Sequence, residues 1–260
     1  MKNRRGQKLI LIFIAIVLIA TGLRAQVFDQ IGLTALRSVT TNLDGRGIRV
    51  AQPEAAVGPG AFEVDPAAVS QPVSLFTYFS AAGTATNFPN SVGTVSDHAR
   101  DVGNTFYSPV IFGVATNVAH VDNYDANFFI TNYVVNVVAM PAASVVNQSF
   151  TYGPLDAANQ TPLDTIFDDY SSAFGTIFVS AACNADLSVS VCAPGTAYNC
   201  ISVGAYANST YYNSIGPTVD NGRCKPDITA IAGATSYSTP QVSAAVALLT
   251  QAGLRGDGGP

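Results

Sequence analysis

Ala234-Thr235-Ser236-Tyr237-Ser238-Thr239-Pro240 opens directly into an apolar stripe at Val242, Ala245, Leu248 and Leu249. That spacing predicts a helix with a serine hydroxyl in its first turn. The unpaired N–H groups of a first helical turn, together with the positive end of the helix dipole, favour negative charge. An alkoxide or oxyanion forming beside Ser236 would be stabilised there. Serine is also a good helix cap, so from this stretch alone a nucleophile and an ordinary cap are both open readings.

Upstream of this segment, short apolar runs alternate with helical patterns. The turn Leu43-Asp44-Gly45-Arg46-Gly47 leads into a strand expected over Ile48 to Gln52. Similar runs follow at Val118 to Val121, Ser144 to Asn147, Ile177 to Ala182 and Ile201 to Ala205. Between them Leu163, Ile166, Phe167, Tyr170 and Phe174 share one face of a predicted helix. The alternation predicts an α/β fold with a mostly parallel sheet covered on both faces. Residues 55–97 are rich in Gly, Pro, Ser and Ala and are expected to form a long surface excursion.

A chain of 260 residues with 48% hydrophobic content can bury a sizeable core and reads as one domain over residues 44–260, after a short N-terminal segment at 26–43. Residues 1–25 carry Lys2, Arg4, Arg5 and Lys8, then the apolar run Leu9 to Ala20, then Leu23-Arg24-Ala25 as a cleavage site. This is the pattern of a secretory signal peptide, and it implies a secreted or periplasmic protein with no membrane anchor after cleavage. The net charge is −5 and the one basic cluster lies in the signal, so no electrostatic footprint for nucleic acid exists. Cys183, Cys192, Cys200 and Cys224 are expected to form disulfides in an oxidising compartment, with Cys192 to Cys200 the preferred pair because it closes a short loop. The cysteine spacing and the distant histidines do not suggest a metal site.

A serine nucleophile needs a base, and the chain has two histidines, His98 and His120. His120 lies inside an apolar run and reads as a strand residue. His98 sits where a loop gives way to a helical pattern, in Ser96-Asp97-His98-Ala99-Arg100-Asp101-Val102-Gly103, and is the better base.

These segments resemble the subtilisin-like serine proteases. Ala234 to Pro240 is similar to that family's Gly-Thr-Ser-Met-Ala-Thr-Pro segment around the nucleophile, preceded by the similar Lys225-Pro226-Asp227-Ile228. The His98 segment resembles the family's His-Gly-Thr-His-Val-Ala-Gly helix, with Ala99 and Asp101 in place of a glycine and a second histidine. Aligning Val50-Ala51 with the family's Val-Ala-Val-Ile-Asp-Ser-Gly strand puts Glu54 where the family has an aspartate. Asp101 is the competing carboxylate, three residues from His98. Ala181-Ala182-Cys183-Asn184 resembles Ala-Ala-Gly-Asn, whose asparagine donates to the oxyanion, with Cys183 crowding the place of the glycine. Val146-Asn147-Gln148-Ser149-Phe150 resembles the segment that pairs with an extended peptide substrate, making Ser149 and Phe150 substrate-binding candidates. Pro194 to Ala205 resembles a further family strand.

The resemblance spans about Gly45 to Leu254 outside residues 55–97, with acid, base, oxyanion donor and nucleophile in family order. It implies a three-layer subtilisin-like fold and a serine endopeptidase acting on peptide or protein substrates through Glu54, His98 and Ser236, with Asn184 in the oxyanion hole and no required cofactor. Structural calcium is common in the family, but no aspartate run here forms a calcium loop. Two other readings remain: an inactive exported protein on the same fold, favoured by the changes at Glu54, Ala99, Asp101 and Cys183, and a serine-carboxyl peptidase, disfavoured because Asp97 to Asp101 offers no glutamate. The chain is expected to be incomplete beyond Pro260, and residues 26–43 are short for an inhibitory pro-segment.

Overall fold

The computed structural model describes residues 26–137, 142–184, 190–207, 210–211, 214–220 and 222–255. The expected signal peptide, residues 1–25, lies outside them. The chain divides into two units, residues 1–42 and 43–260. In the first, helix α1 (Leu33–Val39) buries Leu33, and the Arg37 guanidinium stacks over the Phe28 ring at 5.1 Å.

The second unit is built on one large sheet. Its strands, in chain order, are β1 (Arg49–Glu54), β2 (Ala61–Glu63), β3 (Phe76–Ser80), β4 (Gly83–Ala85), β5 (Thr94–Val95), β6 (His120–Asp125), β7 (Val145–Gln148), β8 (Ile177–Ala181), β9 (Cys200–Ala207), β10 (Thr210–Tyr211) and β11 (Ile228–Ile231). The helices are α2 (Asp97–Phe106), α3 (Ala126–Phe129) continuing into a π-helical turn at Ile130–Val135, α4 (Ala157–Phe174) and α5 (Thr235–Arg255). The sheet order is β10-β9-β8-β7-β1-β6-β3-β4, with β11 also along β9. Every pairing in it is parallel except β4 on β3 and β10 on β9. β1 is therefore central, and the strand order reverses beside it. In parallel α/β sheets such a switch point opens a crevice at the carboxyl ends of the strands.

Side-chain alternation divides the two faces. Ala51, Val146 and Phe178 join Phe167 and Tyr170 of α4 in one apolar cluster. Phe167 meets Phe178 edge to face at 5.1 Å between ring centroids, a geometry that adds about 0.5–1.5 kcal/mol to plain burial. On the other face Gln52, Glu54 and Asn147 point toward α2 and α5. The result is the three-layer α/β arrangement: α2 and α5, then the sheet, then α4.

Several boundaries differ from the expected ones for identifiable reasons. β1 runs past Gln52 through Pro53 to Glu54. Its pairing with β7 covers Val50 and Ala51 only, so the N–H that Pro53 lacks breaks no bond in that ladder. α4 begins six residues before Leu163, capped by Asp156, whose carboxylate accepts from Asn159 N at 3.0 Å. Pro162 inside that helix hides its first turns from a pattern reading. Residues 55–97 are more than a surface excursion. Phe76 and Tyr78 are buried, and β3 extends the central sheet while β2 and β5 pair apart from it.

The apolar stripe expected on α5 is also rotated. Ala245 and Leu249 are exposed, and the buried face is Ser243, Ala244, Ala247, Leu248 and Gln251. Small and polar side chains let this helix lie close across β7, β8 and β9.

Candidate active site

β1 delivers Glu54 at its carboxyl end, and α2 begins beside it. Ser96 caps α2, its hydroxyl accepting from Ala99 N at 3.2 Å, which fixes where the first turn starts. His98 in that turn reaches back, and its Nδ1 lies 2.7 Å from Glu54 Oε2. An ionised carboxylate only accepts, so Nδ1 donates and Nε2 is left as the acceptor of the neutral ring. The Glu54 side chain is 1% exposed and that of His98 29%. The bond to Glu54 raises the His98 pKa above its ordinary 6.5, outweighing the burial that lowers it, with the charges of Glu54 and Asp101 adding to the rise.

Asp101, the competing carboxylate, is taken by Arg100, with Nε at 2.9 Å. His120, the other histidine, opens β6 in register with Arg49 at the far end of β1, where its Nε2 lies 2.9 Å from Thr77 Oγ1. The ends of β1 lie five residue steps apart, about 16 Å, so His120 is remote from Glu54. Burial lowers its pKa.

Ser236 is the second residue of α5. Its hydroxyl donates to the Ser149 carbonyl at 3.2 Å, and the Ser149 hydroxyl donates to the Ser236 carbonyl at 2.9 Å. The second bond has a cause in the sequence. Residue 240 of a regular helix would donate its N–H to the carbonyl of residue 236, and Pro240 has none to give. The orphaned acceptor is taken by Ser149. Behind Ser149, Asn147 Nδ2 donates to its hydroxyl at 3.0 Å and Asn147 Oδ1 accepts from Ser243 at 2.8 Å. A buried neutral chain thus links the carboxyl end of β7 to α5. Tyr237, next to Ser236, brings its ring to 6.2 Å from that of His98, so the start of α5 and the start of α2 face each other.

Asn184 follows β8. Its Oδ1 accepts from both Thr235 N and Thr235 Oγ1, each at 2.7 Å. A backbone N–H can only donate, which identifies the acceptor as the oxygen and leaves the Nδ2 donors for other partners. Cys183, which replaces the glycine of the segment it resembles, takes the left-handed φ of +92°. A side chain at that φ costs on the order of 1 kcal/mol. Ser149 is buried and Phe150 half-buried beyond the end of β7.

The preferred cysteine pairing is not what the structure places together. Cys200 Sγ donates to Ser180 Oγ at 3.0 Å, whereas the Cys192 side chain is hydrogen-bonded to Cys183, with no disulfide joining any two of the four. Cys192 N also donates to Ala182 O at 3.3 Å, which draws these two segments side by side.

Two polar residues that the sequence reading passed over complete the site. Gln52 Nε2 donates to Glu54 Oε1 at 2.8 Å and to Ala99 O at 2.9 Å, and Tyr107 Oη donates to Gln52 Oε1 at 2.6 Å. The one signal in the sequence was the i, i+2 spacing of Gln52 and Glu54 on a buried strand, which names neither the partner of Gln52 nor Tyr107. Among the described residues no three His, Cys, Asp or Glu side chains are grouped to hold a metal ion, and no helix is long and apolar enough to cross a membrane.

A family model described as the Subtilase family matches residues 81–255, a span that contains His98, Asn184 and Ser236 but not Glu54. No curated protein matches the chain. Solved structures do. The prenylagaramide maturation protease PagA is 18% identical over 88% of this chain and 84% of its own, with a TM-score of 0.59. A mutant of the protease domain of PatA is 18% identical over 82% and 83%, with a TM-score of 0.55. A cold adapted subtilisin-like serine proteinase is 20% identical over 81% and 78%, with a TM-score of 0.55. At these identities the structures speak for the fold. With the family match covering well over half its length, this chain belongs to the subtilase family.

Proposed function

We propose that the chain is a secreted serine endopeptidase in which Ser236, His98 and Glu54 form the triad and Asn184 donates to the oxyanion. The observation that carries this is the 2.7 Å pair of His98 and Glu54, set opposite a serine in the first turn of α5. Ser236 Oγ turns from the Ser149 carbonyl to His98 Nε2, gives up its proton there and attacks the scissile carbonyl carbon. The oxyanion sits between Asn184 Nδ2 and the backbone N–H of Ser236, where the helix dipole also favours it. His98, doubly protonated, is stabilised by Glu54 and returns the proton to the leaving amine. Water then repeats the cycle on the acyl-enzyme. An extended peptide lying along Ser149 and Phe150 would reach Ser236 directly, since Ser149 already touches it. Export is supported by the charged, apolar and small-residue order of residues 1–25.

Reaction of the purified protein with a fluorophosphonate, with the labelled serine identified by peptide mapping, tests this. Labelling of Ser236, lost in Ser236→Ala, together with cleavage of a denatured protein substrate is the expected result. Labelling at another serine would overturn the triad, and no labelling of the folded protein would overturn the reading and favour an inactive binding protein.

A further inference from the structure

A glutamate has one more rotatable bond than an aspartate, so its carboxylate is less constrained by the strand that carries it. Glu54 Oε2 serves His98, and Oε1 is free to be held by something else. Gln52 holds it. The two side chains are i and i+2 on β1 and lie on the same face. The orientation of the Gln52 amide is settled by its neighbours: Glu54 Oε1 and Ala99 O only accept, so the nitrogen must face them and the oxygen must face Tyr107. Gln52 and Tyr107 are fully buried and Glu54 is 1% exposed, so water does not replace any of these bonds.

Tyr107 is itself given its place. It follows α2 and folds its ring back over Gly103, where any Cβ would stand 2.8 Å from the Tyr107 hydroxyl and 3.0 Å from its ring carbon. Burial pushes the Tyr107 pKa well above its ordinary value, so the phenol keeps its proton and remains a donor.

We propose that Gln52 and Tyr107 are positioning residues, a buried relay that clamps the free oxygen of Glu54 and so fixes the carboxylate for His98; this rests on the triad proposed above. Without the Tyr107 hydroxyl, Gln52 Oε1 has no donor and the amide is released to rotate. Without Gln52, Glu54 Oε1 is a buried acceptor with no partner, and the carboxylate swings on its extra bond. In either case the imidazole loses its orientation while the peptide-binding edge at Ser149 is untouched, so kcat falls and KM does not.

The experiment compares Tyr107→Phe, Gln52→Leu, the double variant and Glu54→Gln in the full-length mature protein. Fluorophosphonate labelling rate, kcat and KM on a peptide substrate, and the low-field proton resonance of His98 Nδ1 are read for each. Losing one buried bond to a charged group predicts a drop in kcat of about 10- to 100-fold for Gln52→Leu, and a smaller drop for Tyr107→Phe. KM stays near its starting value, the Nδ1 resonance moves upfield, and the double variant is no slower than Gln52→Leu. Gly103→Ala should reproduce the Tyr107→Phe loss by displacing the ring, although alanine is the better helix former. Normal kcat and an unmoved resonance in Gln52→Leu and Tyr107→Phe, with Glu54→Gln inactive, would overturn the relay and leave the triad standing. Normal labelling in Glu54→Gln would overturn both.

Discussion

Glu54 shows how one methylene redistributes work among neighbours. The strand ending in Pro53-Glu54 was legible because an apolar run leads straight to it, and the carboxylate does face His98. Gln52 and Tyr107 were not, because a polar residue in a strand pattern says nothing of which acceptor it will meet, and Tyr107 lies 55 residues from Gln52. For the proposed triad, the raised pKa of His98 has a direct consequence. The general base must be neutral, so turnover should rise with pH through a midpoint above 6.5 and be lost below it. Glu54→Gln should bring any residual activity to a lower midpoint, measured as the acid limb of kcat/KM. An unchanged midpoint would show that another group sets it. Asn184→Ala should lower kcat by about 10²- to 10³-fold with KM little changed, the range typical of one oxyanion donor. Thr235 should matter through the same atom, since it holds Asn184 Oδ1 twice.

Among the elements, α5 was found by its first turn and misread on its flank. Ser236, Thr239 and Pro240 marked the start, but the buried face sets Leu248 among serine, alanine and glutamine, which give it little apolar periodicity. β3 was missed for a related reason, its Phe76-Thr77-Tyr78-Phe79-Ser80 being short and set in a stretch dominated by turn residues. The Pro240 gap makes a prediction that belongs to the element. Ser149→Ala leaves the Ser236 carbonyl without its donor and should destabilise the protein by about 1–3 kcal/mol in urea unfolding. Pro240→Ala restores a backbone N–H at the right helical position, so the double variant should recover part of that loss. If the two losses simply add, the carbonyl is not what couples them.

On the scale of the whole molecule, a second charged cluster lies apart from the site and ties distant segments together. Asp164 on α4 accepts from Thr196 Oγ1 at 2.6 Å and pairs with Arg223 Nη2 at 3.3 Å, while Arg223 also meets Asp220 at 2.7 Å and donates to Thr196 O. The guanidinium lies 3.8 Å from the centre of the Tyr198 ring. Desolvation raises the Asp164 pKa despite these partners, so the carboxylate depends on them to remain charged. Arg223→Ala should therefore cost about 3 kcal/mol of unfolding free energy, and adding Asp164→Asn should return part of it by removing the stranded charge. None of this was legible in advance, since the cluster joins residues spread from 164 to 223 through turns with no pattern of their own.

The two sides of the candidate site differ in kind. The seat of Ser236 is made from neutral groups, Ser149, Asn147, Ser243, Thr235 and Asn184, whereas His98 is set among Glu54, Asp101 and Arg100. Acidity and ionic strength act on charges and leave neutral hydrogen bonds almost unaffected. A change in the surrounding medium would then reach the chemistry through the imidazole alone, throttling the rate while the nucleophile stays seated and ready when conditions return.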